Sequence, residues 1–335
     1  MALLVAFIVT VVLAKPVIHW LRKMKFGQKI LEIGPKWHMN KQNIPTMGGI
    51  MFMAGITVAV LAGMCYLRAT NGGWAQTWAL GAAGIILLGL ALAYGLVGMV
   101  DDFAKIKKKQ NAGLTPMQKL ILQVVVAAVF ITILRITGDV DTAIWVPFFG
   151  VSFTVPWIVY IILATFIIVG ADNAVNLTDG IDGLAAGVTL PVALFFAFVG
   201  MRMQNMGVVL FAGALAGALI AFLIFNFNPA KVFMGDTGSL FLGGAVAGLA
   251  FACDMPLILI PVGIIYIWET LSVIIQVAYF KLSHGKRVFK MAPFHHHLEM
   301  SGWGEKKIVV VFTLITAALC ALSWLAVQPR LPMLP

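Results

Sequence analysis

Two adjacent aspartates, Asp101 and Asp102, end a long apolar stretch in the segment YGLVGMVDDFAKIKKK. Adjacent carboxylates repel each other unless a cation lies beside or between them. The pair therefore predicts either a divalent metal ion or a lysine partner, and Lys105 follows within one helical turn. A polar helix end closed by a local ion pair would use the same residues, so both interpretations stay open at this point.

A second polar segment, ADNAVNLTDGIDGLAAG, places an amide or carboxyl side chain at every third position. The four residues are Asn173, Asn176, Asp179 and Asp182. Their spacing directs the side chains to one helix face or into one tight loop. Their oxygens suit Mg²⁺, or the hydroxyl groups of a sugar and a base. A plain turn between two helices also favours Asn, Asp and Gly, so a structural role is the alternative.

Two further segments carry polar residues next to apolar stretches. In FNFNPAKVFMGDTGSLFLGG, Asp236 lies in a glycine-flanked turn whose backbone N–H groups could meet a phosphate, which leaves the carboxylate free for a metal. In FKMAPFHHHLEMSGWGEKK, three consecutive histidines cannot share one helix face, which argues against a three-histidine zinc site. Contact of one or two of them with phosphate or magnesium-bound water fits better.

The four segments together indicate metal-assisted phosphoryl transfer. In that chemistry Mg²⁺ neutralises a diphosphate, while cationic side chains hold the leaving phosphate. The sequence contains no GxxxxGK[ST] phosphate-binding loop, which disfavours ATP-driven transport. It also contains no recognisable serine or cysteine nucleophile motif.

The elements that position these residues must lie in a membrane. Hydrophobic residues make up 61% of the 335-residue chain and charged residues 11%, with a mean hydropathy of +0.99. Soluble domains are about 45–50% apolar and about 25% charged. The net charge of +10 does not indicate nucleic acid, because the basic residues are scattered at helix ends, and an anionic substrate explains it better. The three cysteines fall in separate apolar runs and are expected to be buried thiols.

Ten apolar stretches approach or reach the length of about 17–25 residues that a membrane-spanning helix needs. They cover residues 1–20, 47–67, 78–100, 117–137, 156–173, 184–201, 208–226, 239–254, 257–280 and 308–327. The eighth is short and rich in glycine, which favours close packing inside a bundle. The first is expected to remain as a span rather than act as a cleaved signal peptide. Residues 1–335 should form a single polytopic transmembrane domain of class all-α, with a small hairpin over 138–156.

Most of the 23 lysines and arginines fall on one side of these spans, chiefly in the loops after the first, third and ninth. The positive-inside rule places that side in the cytoplasm and, with ten spans, both termini outside. Most acidic residues lie on the same side, although acids near a bilayer are costly. These are Glu32, Asp101, Asp102, Asp172, Asp179, Asp182, Asp236, Glu269, Glu299 and Glu305. An active-site cleft at the cytoplasmic face is therefore predicted.

In these segments the sequence resembles the polyprenyl-phosphate N-acetylhexosamine-1-phosphate transferase superfamily, and within it the phospho-N-acetylmuramoyl-pentapeptide transferase family. The PTMGG segment and the triple histidine are features of that family. The resemblance extends over nearly the whole chain. Its motifs are IPTMGGI at 44–50, VDDFAK at 100–105, LTPMQKLILQ at 114–123, NAVNLTDGIDGLAAG at 173–187, FNFNPAKVFMGDTGSL at 225–240, ETLSVIIQV at 269–277 and PFHHHLE at 293–299.

The resemblance implies a bundle of ten helices in the bacterial plasma (inner) membrane, with a cytoplasmic cleft open to the bilayer. Its substrates would be UDP-N-acetylmuramoyl-pentapeptide and undecaprenyl phosphate, with Mg²⁺ as cofactor and UMP released. The lipid product would be the first lipid intermediate of peptidoglycan synthesis. A homodimer is compatible with the resemblance, and nucleic acid is not an expected partner.

Functional residues carry over from the family motifs one by one. Asp101 and Asp102 match the aspartate pair of a DDxxK motif, and Asp236 matches the magnesium ligand. Catalytic roles are implied for Asp101, Asp102, Asp236, Lys119 and His295. Substrate contacts are implied for Lys41, Thr46, Lys105, Asn176, Asp179, Asp182, Asn226, Phe233, Gln276, His296 and His297. Asp172 departs from the family pattern, which more often has a small polar residue at that position.

Chemical roles follow for several of these residues. Mg²⁺ on Asp236 would bridge the diphosphate oxygens and reduce their repulsion of an incoming phosphate. Asp101 would accept a proton from the lipid phosphate, and a covalent phospho-aspartate route stays open. Lys119 and His295 would compensate phosphate charge, and Phe233 would stack on uracil.

Two other functions remain open from sequence alone. One is a related transferase of N-acetylglucosamine-1-phosphate to a polyprenyl phosphate, against which the triple histidine argues. The other is a secondary transporter, which should place charged residues near the bilayer midplane. Glu269 is the one acid in the interior of a predicted span, which is meagre support for transport.

Overall fold

The computed structural model describes residues 1–24, 44–71, 73–108 and 113–331. These residues fold mainly into helices, as expected where backbone N–H and C=O groups cannot bond to water. The long helices are α1 (Ala2–Lys23), α2 (Gly49–Asn71), α3 (Trp74–Lys108), α4 (Pro116–Thr137), α5 (Trp157–Thr178), α6 (Leu184–Arg202), α7 (Met206–Asn226), α8 (Gly235–Ala252), α10 (Ile264–Leu282) and α12 (Glu305–Val327). The short elements are helices α9 (Leu259–Val262) and α11 (Phe294–Glu299) and strands β1 (Ala143–Val146) and β2 (Val151–Thr154).

Nine helices in the described part of the chain are long and apolar enough to cross a membrane. They are α1 to α7, α10 and α12, and they confirm the prediction of an all-α membrane protein. The remaining long helix, α8, has 18 residues and contains several glycines. All of its residues from Thr237 to Ala252 are buried. Cys253 and Cys320 are buried as predicted, whereas Cys65 is exposed on the side of α2.

Helix α8 lies close to α3 because both helices have glycines at their contact. A Cβ added to Gly244 would lie 2.8 Å from the Tyr94 ring. Gly98 of α3 faces the backbone carbonyl of Asp236, where a Cβ would not fit. This contact brings the C-terminal end of α3, which carries the aspartate pair, next to the N-terminal end of α8.

The ninth predicted span, residues 257–280, is divided in the structure. It comprises part of a 3-10 turn (Pro256–Ile258), helix α9 and most of α10. Gly263 separates the two helices, and its N–H donates to the Leu259 carbonyl at 2.8 Å. Pro261 removes a backbone donor and glycine favours a helix end, which are local signals that hydropathy does not register.

The predicted hairpin is present at the far end of α8. Strands β1 and β2 pair antiparallel, with Ala143 opposite Thr154. Arg330 donates to the Asp254 carbonyl (2.9 Å) and carboxylate (3.2 Å), and its guanidinium lies over the Trp145 ring of β1. An 18-residue helix is roughly 27 Å long, so these contacts lie about that far from the start of α8.

Candidate active site

Four helix ends bring the predicted polar residues together at one end of the bundle. Helix α3 carries Asp101 and Asp102 in its last two turns, and α8 begins beside Asp236. A capping box with proline in the first turn starts α4 and places Lys119 one turn into the helix. The last turn of α5 supplies Asn176. Residues far apart in sequence thus meet through the positions at which their helices start and stop.

Three carboxylates form the centre of this site. One oxygen from each of Asp101, Asp102 and Asp236 lies within 4.8 Å of the others. Asp101 and Asp102 are each only 4% exposed, and Asp236 is partly buried. Carboxylate oxygens are the hard ligands that Mg²⁺ prefers, and a divalent cation relieves the repulsion among such acids. The donor set therefore fits a magnesium ion held by up to three aspartates, rather than by Asp236 alone.

Asp102 also fixes the start of α8. Its carboxylate accepts hydrogen bonds from the Thr237 N–H (2.9 Å), the Thr237 hydroxyl (2.7 Å) and the Asp236 N–H (3.3 Å). A carboxylate at a helix N-terminus is stabilised by the free N–H groups and by the helix dipole. Asp102 therefore locks α3 to α8 in addition to contributing charge to the cluster.

Two lysines provide positive charge at the carboxylates. Lys105 Nζ lies 2.7 Å from Asp101 Oδ2, 2.8 Å from Asp236 Oδ2 and 3.8 Å from Asp102 Oδ1. Lys119 Nζ lies 3.0 Å from the same Asp236 oxygen. Asp236 is the acid that both ammonium groups contact. With a divalent cation added, the five side chains and the metal would carry a net positive charge, which suits an anionic diphosphate.

Asn176 holds Asp236 from the other side. Its amide donates to Asp236 Oδ1 (3.0 Å) and to the Ser239 hydroxyl (2.7 Å), while its carbonyl oxygen lies 3.5 Å from Lys119 Nζ. The sequence predicted a substrate contact for Asn176, and the geometry adds a role in orienting the Asp236 carboxylate. Ser239 was not singled out from sequence, because a serine among small residues resembles a helix-packing position.

Asp179 lies just past the end of α5, close to the cluster. Burial by the surrounding protein, together with the negative charges of Asp236, Asp102 and Asp182, raises the pKa of the Asp179 carboxyl well above its usual range. A carboxyl group whose pKa is raised by burial and by neighbouring acids is typical of a functional site. The predicted substrate contact of Asp179 is compatible with this position.

Asp182 and Asn226 have partners in the protein interior. The Asp182 carboxylate accepts from the Asn228 amide (3.1 Å) and the Ala230 N–H (2.9 Å). Asn226 accepts from the Gly183 N–H (3.1 Å) and donates to the carbonyl of residue 232 (2.9 Å). These bonds tie the turn between α5 and α6 to the loop before α8. The structure thus gives both residues a bracing role, and their contact with substrate stays a prediction.

The three histidines of α11 have separate partners, in line with their spacing. His295 is buried against Glu269, with Nδ1 3.0 Å from a carboxylate oxygen. His296 Nδ1 lies 2.6 Å from a Glu299 oxygen. The His297 ring stacks on the Phe294 ring, with centroids 5.4 Å apart.

The segment around Thr46 reaches the site through backbone pairing. Phe233 donates its N–H to the Pro45 carbonyl (2.9 Å), and its carbonyl accepts from Gly48 (2.8 Å). Thr46 is buried beside Gly235, where a Cβ would lie 2.7 Å from the threonine hydroxyl oxygen. The predicted residues Thr46 and Phe233 therefore lie close to the turn that precedes Asp236.

The hydrogen bonds described do not bring the predicted substrate-binding residue Gln276 to the carboxylates. Gln276 of α10 accepts from the Phe289 N–H at 2.8 Å and so supports the loop before α11. Lys41 lies outside the described residues. Glu269 contacts His295 but was not among the predicted site residues, although its place as the one acid in the interior of a predicted span was a usable signal.

Known proteins match this chain along nearly its whole length. The family model "Glycosyl transferase family 4" matches residues 83–254. The phospho-N-acetylmuramoyl-pentapeptide-transferase of Clostridium acetobutylicum is 44% identical over 325 residues, which cover 97% of this chain and 98% of that protein. Those of Clostridium perfringens (46% over 326 residues, 97% and 95%) and Bacillus mycoides (45% over 309 residues, 92% and 91%) are similar. The chain belongs to the phospho-N-acetylmuramoyl-pentapeptide-transferase family.

Membership of the phospho-N-acetylmuramoyl-pentapeptide-transferase family confirms the resemblance drawn from the motifs. The family 4 match includes the aspartate pair and Asp236 but stops before the histidine run. The Clostridium relatives extend across that run, since only about ten residues of this chain fall outside their match. The carboxylate cluster therefore lies within the segment that the glycosyl transferase family model matches, and α11 lies in the part that only the full-length relatives cover.

Asp172, an aspartate that the family resemblance did not lead us to expect, is fully buried on α5. Its Oδ2 atom accepts from the Gln123 amide at 2.6 Å, and Gln123 accepts from Asn173 at 3.1 Å. Gly243 of α8 makes room for it, because a Cβ there would lie 2.5 Å from the Asp172 Cα. Gln123 lies one helical turn after Lys119, so these bonds form a second polar contact between α4 and α5 beneath that lysine.

Proposed function

We propose that this protein transfers phospho-N-acetylmuramoyl-pentapeptide from its UDP derivative to undecaprenyl phosphate, forming lipid I and releasing UMP. The observation that carries the proposal is the cluster of Asp101, Asp102 and Asp236 with Lys105 and Lys119, in a chain that matches full-length relatives. The relatives' names supply the phospho-sugar pentapeptide. The family resemblance supplies undecaprenyl phosphate and UMP.

Mg²⁺ is the proposed cofactor. Asp236 would hold it, with further oxygens from Asp101 and Asp102, because these are the three acids whose oxygens lie together. When bound, the ion supplies charge neutralisation for a diphosphate and stabilises the charge that develops on the transferring phosphoryl group.

The proposed reaction exchanges one phosphate–oxygen bond for another. An oxygen of undecaprenyl phosphate attacks the phosphorus that carries the sugar, and the bond from that phosphorus to the UMP oxygen breaks. The electron pair of the broken bond leaves with UMP. Lys105 and Lys119 place two ammonium groups at the Asp236 carboxylate, where they would stabilise the departing phosphate. Asp101 is the proposed acceptor for a proton on the attacking lipid phosphate.

The proposed topology has ten membrane crossings, both termini outside and the site at the cytoplasmic face of the bacterial plasma membrane. The lysine-rich loops support this orientation by the positive-inside rule. Helix α8 is counted as the tenth crossing because its 18 residues run from the carboxylate cluster to the hairpin end. A homodimer is also proposed from the family resemblance, and native mass spectrometry in detergent would measure its mass.

Labelling with a membrane-impermeant maleimide tests the orientation. Single cysteines would be introduced as Ser152→Cys in β2 and Lys107→Cys near the end of α3, after replacement of the three native cysteines. In intact spheroplasts, Ser152→Cys should react and Lys107→Cys should react only after permeabilisation. The reverse pattern would overturn the proposed orientation.

An assay of the purified protein tests the activity itself. UMP release and lipid I would be measured with UDP-N-acetylmuramoyl-pentapeptide, undecaprenyl phosphate and Mg²⁺ in detergent. EDTA, or omission of the lipid phosphate, should abolish UMP release. UDP-N-acetylglucosamine serves as the competing donor, and its preferred use would favour the related transferase instead.

A further inference from the structure

Helix α11 docks on α10 through two neighbouring residues of α10. The Trp268 ring packs against the Phe294 ring, with centroids 5.5 Å apart and nearly perpendicular planes. The Glu269 carboxylate accepts from the His295 backbone N–H at 3.1 Å and lies 3.0 Å from ring Nδ1. Glu269 and His295 are both fully buried. The histidine is therefore held through its backbone and through one of its two ring nitrogens.

This contact decides which ring nitrogen carries a proton. A carboxylate only accepts hydrogen bonds, so the His295 Nδ1 atom that faces Glu269 must be the donor. The other nitrogen, Nε2, is buried and has no hydrogen-bond partner among the residues that the structure describes. A buried polar atom without a partner costs free energy, which indicates that another group bonds to it at some stage of function.

His295 Nε2 is directed at the turn between α5 and α6. A Cβ on Gly180 would collide with Nε2 and Cε1 of the ring, so glycine is what allows the ring to lie there. Asp179 and Asp182 flank this turn, and Gly180 itself is exposed. The nitrogen is therefore separated from the surface of the site by one residue that has no side chain.

We propose that Glu269 is a positioning residue that presents His295 Nε2 to a phosphate of the bound nucleotide sugar. The inference rests on the proposed function, which makes the ligand a diphosphate. With Glu269 at Nδ1 and a phosphate oxygen at Nε2, each ring nitrogen faces a hydrogen-bond acceptor. Both ring nitrogens then donate hydrogen bonds. For a phosphate oxygen to reach Nε2, the exposed Gly180 turn must move outward.

Glu269→Gln reverses the polarity of the contact at nearly constant shape. The new amide oxygen keeps the bond from the His295 backbone N–H, and the amide NH₂ group then faces Nδ1 and donates to it. The ring then carries a proton on Nε2 alone, so it still donates to the phosphate oxygen but as a neutral donor, whose hydrogen bond is weaker than a charge-assisted one. We expect kcat/KM for UMP release to fall about 10- to 100-fold, the range known for groups that orient functional histidines.

His295→Asn provides the background that separates positioning from bracing. The asparagine amide reproduces the Nδ1 donor toward Glu269 but has no counterpart of Nε2. In this background Glu269→Gln should change kcat/KM by about twofold at most, because the group through which Glu269 acts is gone. An equal loss in both backgrounds would overturn the inference and leave Glu269 as a brace between α10 and α11.

Nitrogen-15 NMR of histidine-labelled protein gives a readout that does not depend on turnover. The His295 signal, assigned by its loss in His295→Asn, should report protonated Nδ1 in the wild type and protonated Nε2 in Glu269→Gln. Glu299→Gln is the matched control, because it alters the carboxylate beside His296 Nδ1 and should leave the His295 signal unchanged. An unchanged His295 tautomer in Glu269→Gln would also overturn the inference.

The two proposals fail in different ways. If the wild-type protein releases no UMP from the UDP substrate, the proposed function fails whatever the NMR spectra show. If wild-type turnover is normal and Glu269→Gln retains it, only the positioning role fails. Thermal unfolding of Glu269→Gln and His295→Asn would identify a variant that has lost its fold.

Discussion

At the scale of single residues, Asp236 is the acid on which the most site contacts converge. Both lysines reach its Oδ2 atom, and Asn176 holds Oδ1 at 3.0 Å. Asp236→Asn keeps the shape of the side chain but removes the charge that the two ammonium groups share and a ligand of the proposed metal. We expect kcat for UMP release to fall at least about 100-fold, with a flatter dependence on Mg²⁺ concentration.

Asp139→Asn is the control for this change, since Asp139 lies beyond the end of α4 on the hairpin side of the molecule. The Asp139→Asn variant should release UMP at the wild-type rate. Near-normal activity of Asp236→Asn would remove that residue from the metal site.

Lys105 contacts all three acids, so its removal should lower the stability of the protein even without substrate. In Lys105→Met the carboxylates lose a counter-charge, and because Lys105 is partly exposed the metal-free protein should be destabilised by only about 1–2 kcal/mol. A bound cation then relieves more repulsion, so Mg²⁺ should raise the Tm of Lys105→Met more than that of the wild type. Lys107 is exposed on the same helix, so Lys107→Met should show the same Mg²⁺-dependent rise in Tm as the wild type. Identical Mg²⁺-dependent shifts in all three proteins would contradict this account.

The sequence supported the prediction of the site acids better than that of their partners. Asp101, Asp102 and Asp236 could be proposed because each ends or begins an apolar stretch, which is a local property. The pairing of Lys119 with Asp236 joins residues on α4 and α8 and depends on how those helices pack. Glu269 was noted only for its unusual depth, because its partner on α11 follows after a loop whose course the sequence does not specify.

At the scale of helices, the contact of α3 with α8 determines where Asp236 lies. A Cβ on Gly98 would run into the Asp236 carbonyl, so Gly98→Ala must push the two helices apart. We expect a loss of about 1–3 kcal/mol in unfolding free energy, typical of overpacking, together with reduced UMP release. Gly89→Ala on the same helix meets nothing within 4 Å and should be neutral or slightly stabilising. Equal Tm values for the two variants would show that α3 and α8 can separate without cost.

The contact between Asp254 and Arg330 at the hairpin end should make stability depend on pH. Burial, followed by the negative charge of Asp141, raises the pKa of Asp254 to about 6, although Arg330 opposes the shift. The folded state then binds the proton more tightly than the unfolded state. The stabilisation is complete below about pH 4 and is lost as the pH rises through about 6.

The corresponding free energy is about 3 kcal/mol at most, from a shift of roughly two pKa units. Asp254→Asn cannot titrate, so the difference in Tm between the wild type and this variant should change between about pH 4 and pH 7. Parallel Tm curves over that range would contradict the raised pKa.

Hydropathy was sufficient to predict most helices and insufficient for their interruptions. Nine of the predicted spans correspond to long apolar helices, because partitioning into a bilayer depends on the average over about twenty residues. The break at Gly263 and the short helix α11 depend on single residues and on packing against α10. Such features are visible only where the local backbone is known.

At the scale of the whole molecule, the helices differ in how much of their surface meets lipid. The composition predicted a bilayer around the protein, and α1 agrees, with Leu4, Ile8 and Val12 exposed on its outer face. The position of α8 within the bundle could not be predicted, because hydropathy reports how a segment enters a membrane and not which neighbours cover it. Glycine content was the one hint, since it favours close helix packing.

The burial of α8 on all sides limits which amino-acid substitutions this protein can tolerate. Buried positions on α1 recur at nearly every fourth residue, whereas α8 has no exposed face from Thr237 onward. A complete substitution scan should therefore find a repeating pattern of tolerated changes along α1 and uniform intolerance along α8. A tolerant stripe on α8 would mean that lipid or water reaches it. Resistance to an inhibitor bound at the carboxylates should consequently arise in the loops that face the site, where side chains can change without disturbing the bundle.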